Sequence, residues 1–228
     1  NLHGTFTTTA LGVGGFTRSG SSVVNIIGDM DNTGNTFALN ATTGDWTMAN
    51  GRIIGGTITE SGGAKLLFSG GYYNRLDGVT FTGDLLLNQP TVHQYLRLQN
   101  GTTFTGNAHI GSPDGYQGVL SYEQTGTLNG KTLNFDPTFS SGAYLAIDGD
   151  NTLTFGPTLV ARGAAVIGQQ FFVGGTSTLV NQGLISSDLA GLTTTINPSI
   201  FTNQGIAEAI NGATLTIQAT DWTNYAAG

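Results

Sequence analysis

With 228 residues, 36 glycines, no cysteine, 9% charged residues and a net charge of −7, the chain excludes disulfides, thiolate metal sites and a cysteine nucleophile. Its seven basic residues (Arg18, Arg52, Lys65, Arg75, Arg97, Lys131 and Arg162) are scattered, so neither nucleic acid nor an anionic membrane is an expected partner. Apolar runs of a few residues fall far short of the roughly 20 that span a bilayer, so no membrane span is expected. Apolar residues make up 38% of the chain in short, evenly spaced groups, a pattern of folded β-structure and not of disorder.

In chain order, the strands announce themselves as Thr-apolar-Thr triplets. Thr57-Ile58-Thr59, Thr80-Phe81-Thr82 and Thr103-Phe104-Thr105 follow one another at a spacing of about 23 residues. The beat continues more loosely through Thr127-Leu128-Asn129, Thr152-Leu153-Thr154, Thr178-Leu179-Val180, Thr195-Ile196-Asn197 and Thr214-Leu215-Thr216. A strand buries one side chain and exposes its two neighbours. The triplets therefore predict an inward column of Ile58, Phe81, Phe104, Leu128, Leu153, Leu179, Ile196 and Leu215. They also predict an outward ladder of Thr57, Thr59, Thr80, Thr82, Thr103, Thr105, Thr152, Thr154, Thr214 and Thr216. A fixed period of this length marks stacked repeats.

Other echoes support the stack. Tyr95-Leu96-Arg97-Leu98-Gln99 returns as Tyr144-Leu145-Ala146-Ile147-Asp148, about two rungs later, and Asn181-Gln182-Gly183 returns as Asn203-Gln204-Gly205. Asn50-Gly51, Gly55-Gly56, Asn100-Gly101, Asn129-Gly130 and Asn211-Gly212 supply residues that tolerate positive φ at tight corners. Asn-Gly also suits antiparallel hairpins, but like triplets recur at one period without mirrored pairs. The expected fold is an all-β, single-stranded parallel β-helix, or β-solenoid, of about ten coils of roughly 17–26 residues. It forms one continuous unit over 1–228, on the order of 45–50 Å long. Helix signals are nearly absent; Ile206 to Ile210 is the best of them and is too short. Asp188 to Gly191 reads as a loop. Neither terminus offers a capping segment, and Asp221-Trp222-Thr223-Asn224 echoes Asp45-Trp46-Thr47. A part of a longer chain, or a fibre subunit whose ends pair with its neighbours, is therefore expected.

The run Asp31-Asn32-Thr33-Gly34-Asn35-Thr36-Phe37-Ala38-Leu39-Asn40, then Trp46-Thr47-Met48, Gly55-Gly56-Thr57-Ile58 and the two Asn-Gln-Gly turns, resembles the repeat regions of large bacterial surface and secreted proteins. These are the filamentous-haemagglutinin-like and autotransporter-like β-helix adhesins. The resemblance covers most of the chain through repeat texture. It implies a right-handed β-helix stalk, a cell-surface or extracellular location, and an adhesive or scaffolding role. The Asn-Pro-rich secretion signature of the haemagglutinin group is not matched.

Chemistry is harder to find. Parallel β-helix lyases and hydrolases group carboxylates on one face. The densest groups here are Asp29 with Asp31 and Asp148 with Asp150. Asp148 and Asp150 are weak calcium candidates, but Asp148-Gly149-Asp150-Asn151 is equally a plain turn. His3, His93 and His109 have no ligand spacing and read as surface residues. Tyr72, Tyr73, Tyr95, Tyr116, Tyr122 and Tyr144 form a candidate sugar-stacking strip, although tyrosine also simply suits strands. The threonine ladder raises ice binding, which the variable coil length disfavours. The resulting expectation is a non-catalytic, extracellular structural or adhesive solenoid without catalytic residues or cofactor. Its expected partners are neighbouring solenoid coils or subunits and surface carbohydrate. A carbohydrate-active β-helix enzyme and an ice-binding protein are the alternatives.

Overall fold

A computed structural model describes residues 1–12 and 22–225, so Arg18 lies outside the described residues. The described residues form an all-β parallel solenoid of about 9 turns. Every strand pair among the described residues is parallel, which removes the hairpin alternative.

Each turn contributes up to three short strands, and like strands stack into three faces. The first face is a single ten-stranded sheet running from Thr5–Thr7 through Asp29–Asp31, Arg52–Ile54, Arg75–Asp77, Gln94–Gln99, Gly118–Glu123 and Ala143–Ile147 to Thr214–Ile217. The second face is split in two. Four strands from Thr36–Leu39 to Thr103–Phe104 form one sheet, and five from Gly126–Leu128 to Asp221–Asn224 form the other. The third face is likewise split, into a three-stranded sheet ending at Leu66–Phe68 and a six-stranded sheet starting at Leu85–Leu87.

The core follows from strand alternation. One residue of each triplet points inward and stacks on its counterpart one coil away, so a single hydrophobic cluster runs from Val24 to Phe201. On the second face Phe37, Ile58, Phe81 and Phe104 are in direct register, with the first three fully buried. Trp46 packs edge-on against Phe37 at 5.0 Å.

The column predicted from sequence is therefore real for Ile58, Phe81 and Phe104, but it does not continue unbroken. Leu128 faces Phe155, not Leu153. Leu153 faces Leu179, which faces Phe201. Ile196 and Leu215 belong to the first face, in neighbouring columns: Ile196 sits opposite Ile217 and Leu215 opposite Thr194. The triplet motif is common to more than one face, so period alone assigned these residues to the wrong column. For the same reason Trp46 and Trp222 are not equivalents. Trp46 is buried on the third face, whereas Trp222 lies on the second and is 55% exposed. Ile206–Ala209 is a strand, and the only helix among the described residues is one turn at Thr8–Leu11. Asp188 to Gly191 is indeed a turn region between strands.

The corners explain the glycine content. Asn50, Asn100 and Asn211 adopt positive φ immediately before a glycine, as the Asn-Gly pairs predict. Gly163 has φ +112, and a Cβ there would lie 1.8 Å from the Phe135 carbonyl oxygen. The contact is with backbone of the preceding coil, so it has no flexible partner to yield. Gly163→Ala is expected to destabilise the fold by roughly 2–4 kcal/mol, read as a lower urea midpoint with an unchanged slope.

The Asn-Gln-Gly echo also has a physical basis. Asn181 Nδ2 donates to Asn203 Oδ1 at 2.7 Å, and Asn203 Nδ2 donates to Asn224 Oδ1 at 2.7 Å. The paired glycines let the coils approach: a Cβ on Gly205 would lie 2.3 Å from the Gly183 carbonyl oxygen.

Candidate functional site

The outer surface of the ten-stranded sheet carries the densest polar arrangement. Register places Arg52, Arg75 and Arg97 in one column on three consecutive coils, with Asp29 before them and Ser121 after. Two residues along each strand, a second column holds Asp31, Ile54, Asp77, Gln99 and Glu123. Strand alternation puts both columns outside the core.

Two of the three arginines are paired. Arg52 Nε donates to Asp77 Oδ2 at 2.9 Å, with Nη2 on the same oxygen, while Asn100 Nδ2 donates to Asp77 Oδ1 at 2.6 Å. Arg97 grips Glu123 with both Nε and Nη2, the latter at 3.0 Å. Gln99 also donates to Glu123. Arg75, between them, makes no hydrogen bond or ion pair through its side chain among the described residues. It lies over the Tyr73 ring, 5.8 Å from the centroid. Its Nε is buried without an acceptor. Burial first, then the Arg97 and Arg52 charges, hold its pKa below the ordinary arginine value, with Glu123 and Asp29 opposing. An arginine nevertheless stays cationic at neutral pH.

Burial would raise the pKa of Asp77, but the hydrogen bonds from Arg52 and Asn100 and the Arg52 and Arg75 charges outweigh it, leaving the carboxyl below its ordinary value. A depressed carboxyl contributes stability that is complete above its unfolded pKa and lost as pH falls through its folded one. Part of the acid sensitivity below about pH 4 should therefore disappear in Asp77→Asn, as seen in melting temperature against pH.

An excursion between the strands Val166–Ile167 and Thr178–Asn181 lies across the far part of this surface. Phe172 lies 4.9 Å from the Arg97 guanidinium and 6.3 Å from the Tyr72 and Tyr95 rings, and Phe171 is 5.3 Å from Tyr144. Asp148 anchors the excursion. This fully buried carboxylate accepts through Oδ1 from the amides of Phe171, Phe172 and Val173 at 2.7, 3.0 and 3.0 Å, and through Oδ2 from Ser121 Oγ. Asp150 Oδ1 accepts from the Thr176 amide at 2.7 Å. Both calcium candidates are thus acceptors for backbone amides of the next coil. Among the described residues no group of three or more His, Asp or Glu side chains is arranged to hold a metal ion.

The tyrosine strip divides. Tyr95 and Tyr144 are two rungs apart with Val119 between them, as the sequence echo suggests. Both are covered by the Phe171–Phe172 excursion, and burial, then Tyr72, pushes the Tyr95 hydroxyl up to about 12. Tyr122 is 4% exposed and stacks inward between Leu98 and Ile147. Tyr116 packs edge-on against His93. Only Tyr72 and Tyr73, 53% and 60% exposed, remain open beside the arginine column. His3 and His93 are exposed and His109 partly so; His93 Nδ1 accepts from the Gln117 amide at 2.9 Å.

The threonine ladder occupies the second face. Thr36, Thr57, Thr80 and Thr103 form one column, and Thr59 and Thr82 a second with Ala38. Thr105 continues that side through its amide, bonded to the Phe81 carbonyl. The array stops there, because no ladder joins Thr103–Phe104 to Gly126–Leu128. Thr152 and Thr154 resume it in the next sheet, opposite Thr178 and Val180, while Thr214 and Thr216 lie on the first face.

At that break, side chains replace the missing backbone bonds. Gln124 Oε1 accepts from the Gly101 and Thr102 amides at 2.7 and 3.0 Å, and its Nε2 donates to the Thr102 carbonyl at 2.7 Å. Lys131 Nζ donates to the Phe104 carbonyl and lies 4.2 Å from its ring centroid, with burial lowering its pKa. The Tyr122 ring fills the space beneath: a Cβ on Gly126 would lie 2.6 Å from its hydroxyl. Neither the bridge nor the arginine column was anticipated from sequence. The column was readable from the spacing of Arg52, Arg75 and Arg97, close to that of the threonine triplets.

No helix among the described residues is long and apolar enough to cross a membrane. The fold defines the class, a parallel β-solenoid. No family model, no curated protein and no solved structure matches the chain.

Proposed function

We propose that the chain is a non-catalytic, extracellular β-solenoid that serves as a surface stalk, adhesin segment or fibre-forming element. The observation that supports this most is the state of three carboxylates of the ten-stranded face and its edge; Asp29 and Asp31 stand apart from them, with Asp31 accepting from the Thr33 amide of its own turn. Asp77 and Glu123 are tied to arginines and Asp148 to three amides. An acid/base pair needs carboxyl groups that can reach substrate and exchange protons; these are spent on joining one coil to the next. Its proposed partners are further coils or neighbouring solenoid subunits, end to end, and surface carbohydrate. The Asn181–Asn203–Asn224 chain is a pattern that any parallel coil stacked on Asn224 would extend.

The in-register Thr36–Thr57–Thr80–Thr103 column favours a second reading, ice binding, but the break after Thr103 limits the regular array to four coils. Two assays separate the readings. The scaffold reading predicts no product from acidic polysaccharides with or without calcium, and no thermal hysteresis. Turnover that Asp148→Ala abolishes while the fold is retained would replace it with the enzyme, and measurable hysteresis would replace it with the ice binder.

A further inference from the structure

Arg75 is the unusual member of its column. Arg52 and Arg97 each hold a carboxylate through two nitrogens, and these pairs alternate charge from coil to coil. Arg75 sits in register between them with no acceptor, and its guanidinium is positioned by packing and by the Tyr73 ring. The charges around it are Arg52 and Arg97 in its own column, with Glu123 and Asp29 as the opposing ones. Of the carboxylates that act on it, Asp77 and Glu123 are committed to other arginines, and Asp29 stands two coils away in the same column. Nε is buried, so an incoming carboxylate would meet the two terminal nitrogens, which are not buried and can give it two parallel hydrogen bonds.

The neighbours narrow the ligand further. Tyr73 is the exposed ring against Arg75, and its neighbour Tyr72, also exposed, has one side packed on Tyr95 at 4.4 Å. Exposed tyrosine rings offer an apolar face and a polar edge, which suits the mixed surface of a sugar ring. With one unpaired cation the site suits a singly charged group, and the planar guanidinium edge matches a planar carboxylate better than a tetrahedral sulfate ester. We propose that Arg75, flanked by Tyr72 and Tyr73, binds the carboxylate of an acidic saccharide, a uronate unit of a glycan. The inference rests on the adhesive part of the proposed function and gives that function a ligand class.

The test is titration of the chain with trigalacturonate, beside a neutral trisaccharide and a sulfated one, followed by NMR shifts or calorimetry. The uronate should bind, more tightly than either comparison sugar. Arg75→Gln should weaken binding at least tenfold, with little change in melting temperature, because relief of repulsion from Arg52 and Arg97 is opposed by lost attraction to Asp77, Glu123 and Asp29. Tyr73→Ser, which leaves the column intact, should weaken it at least threefold and decides the matter if Arg75→Gln does not fold. No uronate binding by the native chain, equal binding by either folded variant, or tighter binding of the sulfated sugar would overturn the assignment. Rod-shaped particles in electron microscopy test the stalk separately, so a failed titration with intact rods removes the ligand and leaves the scaffold.

Discussion

Phe81→Asp is expected to prevent folding. Phe81 is fully buried and stacked in register between Ile58 and Phe104. Truncating such a ring costs about 3–5 kcal/mol through lost transfer energy and the cavity it leaves. An unpaired carboxylate in the same place adds several kcal/mol of desolvation. Total stabilities are roughly 5–15 kcal/mol, so the sum is enough to abolish the native state, or to leave the chain with a protonated, barely stable core. Circular dichroism should show loss of the β signal near neutral pH. Phe104→Asp, the equivalent change one coil further on, is a blunter test: Lys131 Nζ already sits 4.2 Å from the Phe104 ring centroid, and a carboxylate there gains a cation. The difference in residual β signal between these two variants measures how far Lys131 offsets a buried carboxylate.

Asp148→Ala is expected to cost about 3–5 kcal/mol. The substitution removes the acceptor of three backbone amides and of Ser121 at once. Those donors lie under the Phe171–Phe172 excursion, whose aromatic rings cover Tyr95 and Arg97. Amide exchange at 171–173 should accelerate far more than exchange in the neighbouring strands, and proteases should cut the excursion first. In the native chain, added calcium should leave exchange at 171–173 unchanged, because Asp148 is already filled by amides. Calcium-dependent protection in the native chain that Asp148→Ala abolishes would return Asp148 and Asp150 to the list of metal ligands.

Much of the architecture was legible because stacking imposes a period. Thr57, Thr80 and Thr103 fall in register as their spacing implied, and the Asn-Gln-Gly echo turned out to be a hydrogen-bonded ladder. What failed was the assignment of triplets to faces. Thr-apolar-Thr suits any outward-facing strand, so Ile196 and Leu215 on the first face looked like continuations of Phe104 on the second. Leu128 was misplaced for another reason: the large inward Tyr122 lies where the second face breaks, and the strand after the break resumes with Leu128 opposite Phe155. Nothing in a local sequence window records that slip. The candidate site was harder still. Asp148 reads as part of a turn until the chain folds three amides onto it from a coil away, and the excursion buries Tyr95 and partly covers Tyr144. The arginine column was visible in principle, but scattered basic residues are informative only once the coil length is known.

The central claim is the parallel, in-register stack, and the absence of native cysteine makes it directly testable by cross-linking. In Thr57→Cys with Thr80→Cys, the two positions are register partners on adjacent coils, about 4.8 Å apart and within disulfide range. In Thr57→Cys with Thr103→Cys they are two coils apart, at about 10 Å, and out of reach. Mild oxidation should close an intramolecular disulfide in the first variant and none in the second. An uncrosslinked first variant that remains folded, or equal cross-linking in both, would contradict the stack.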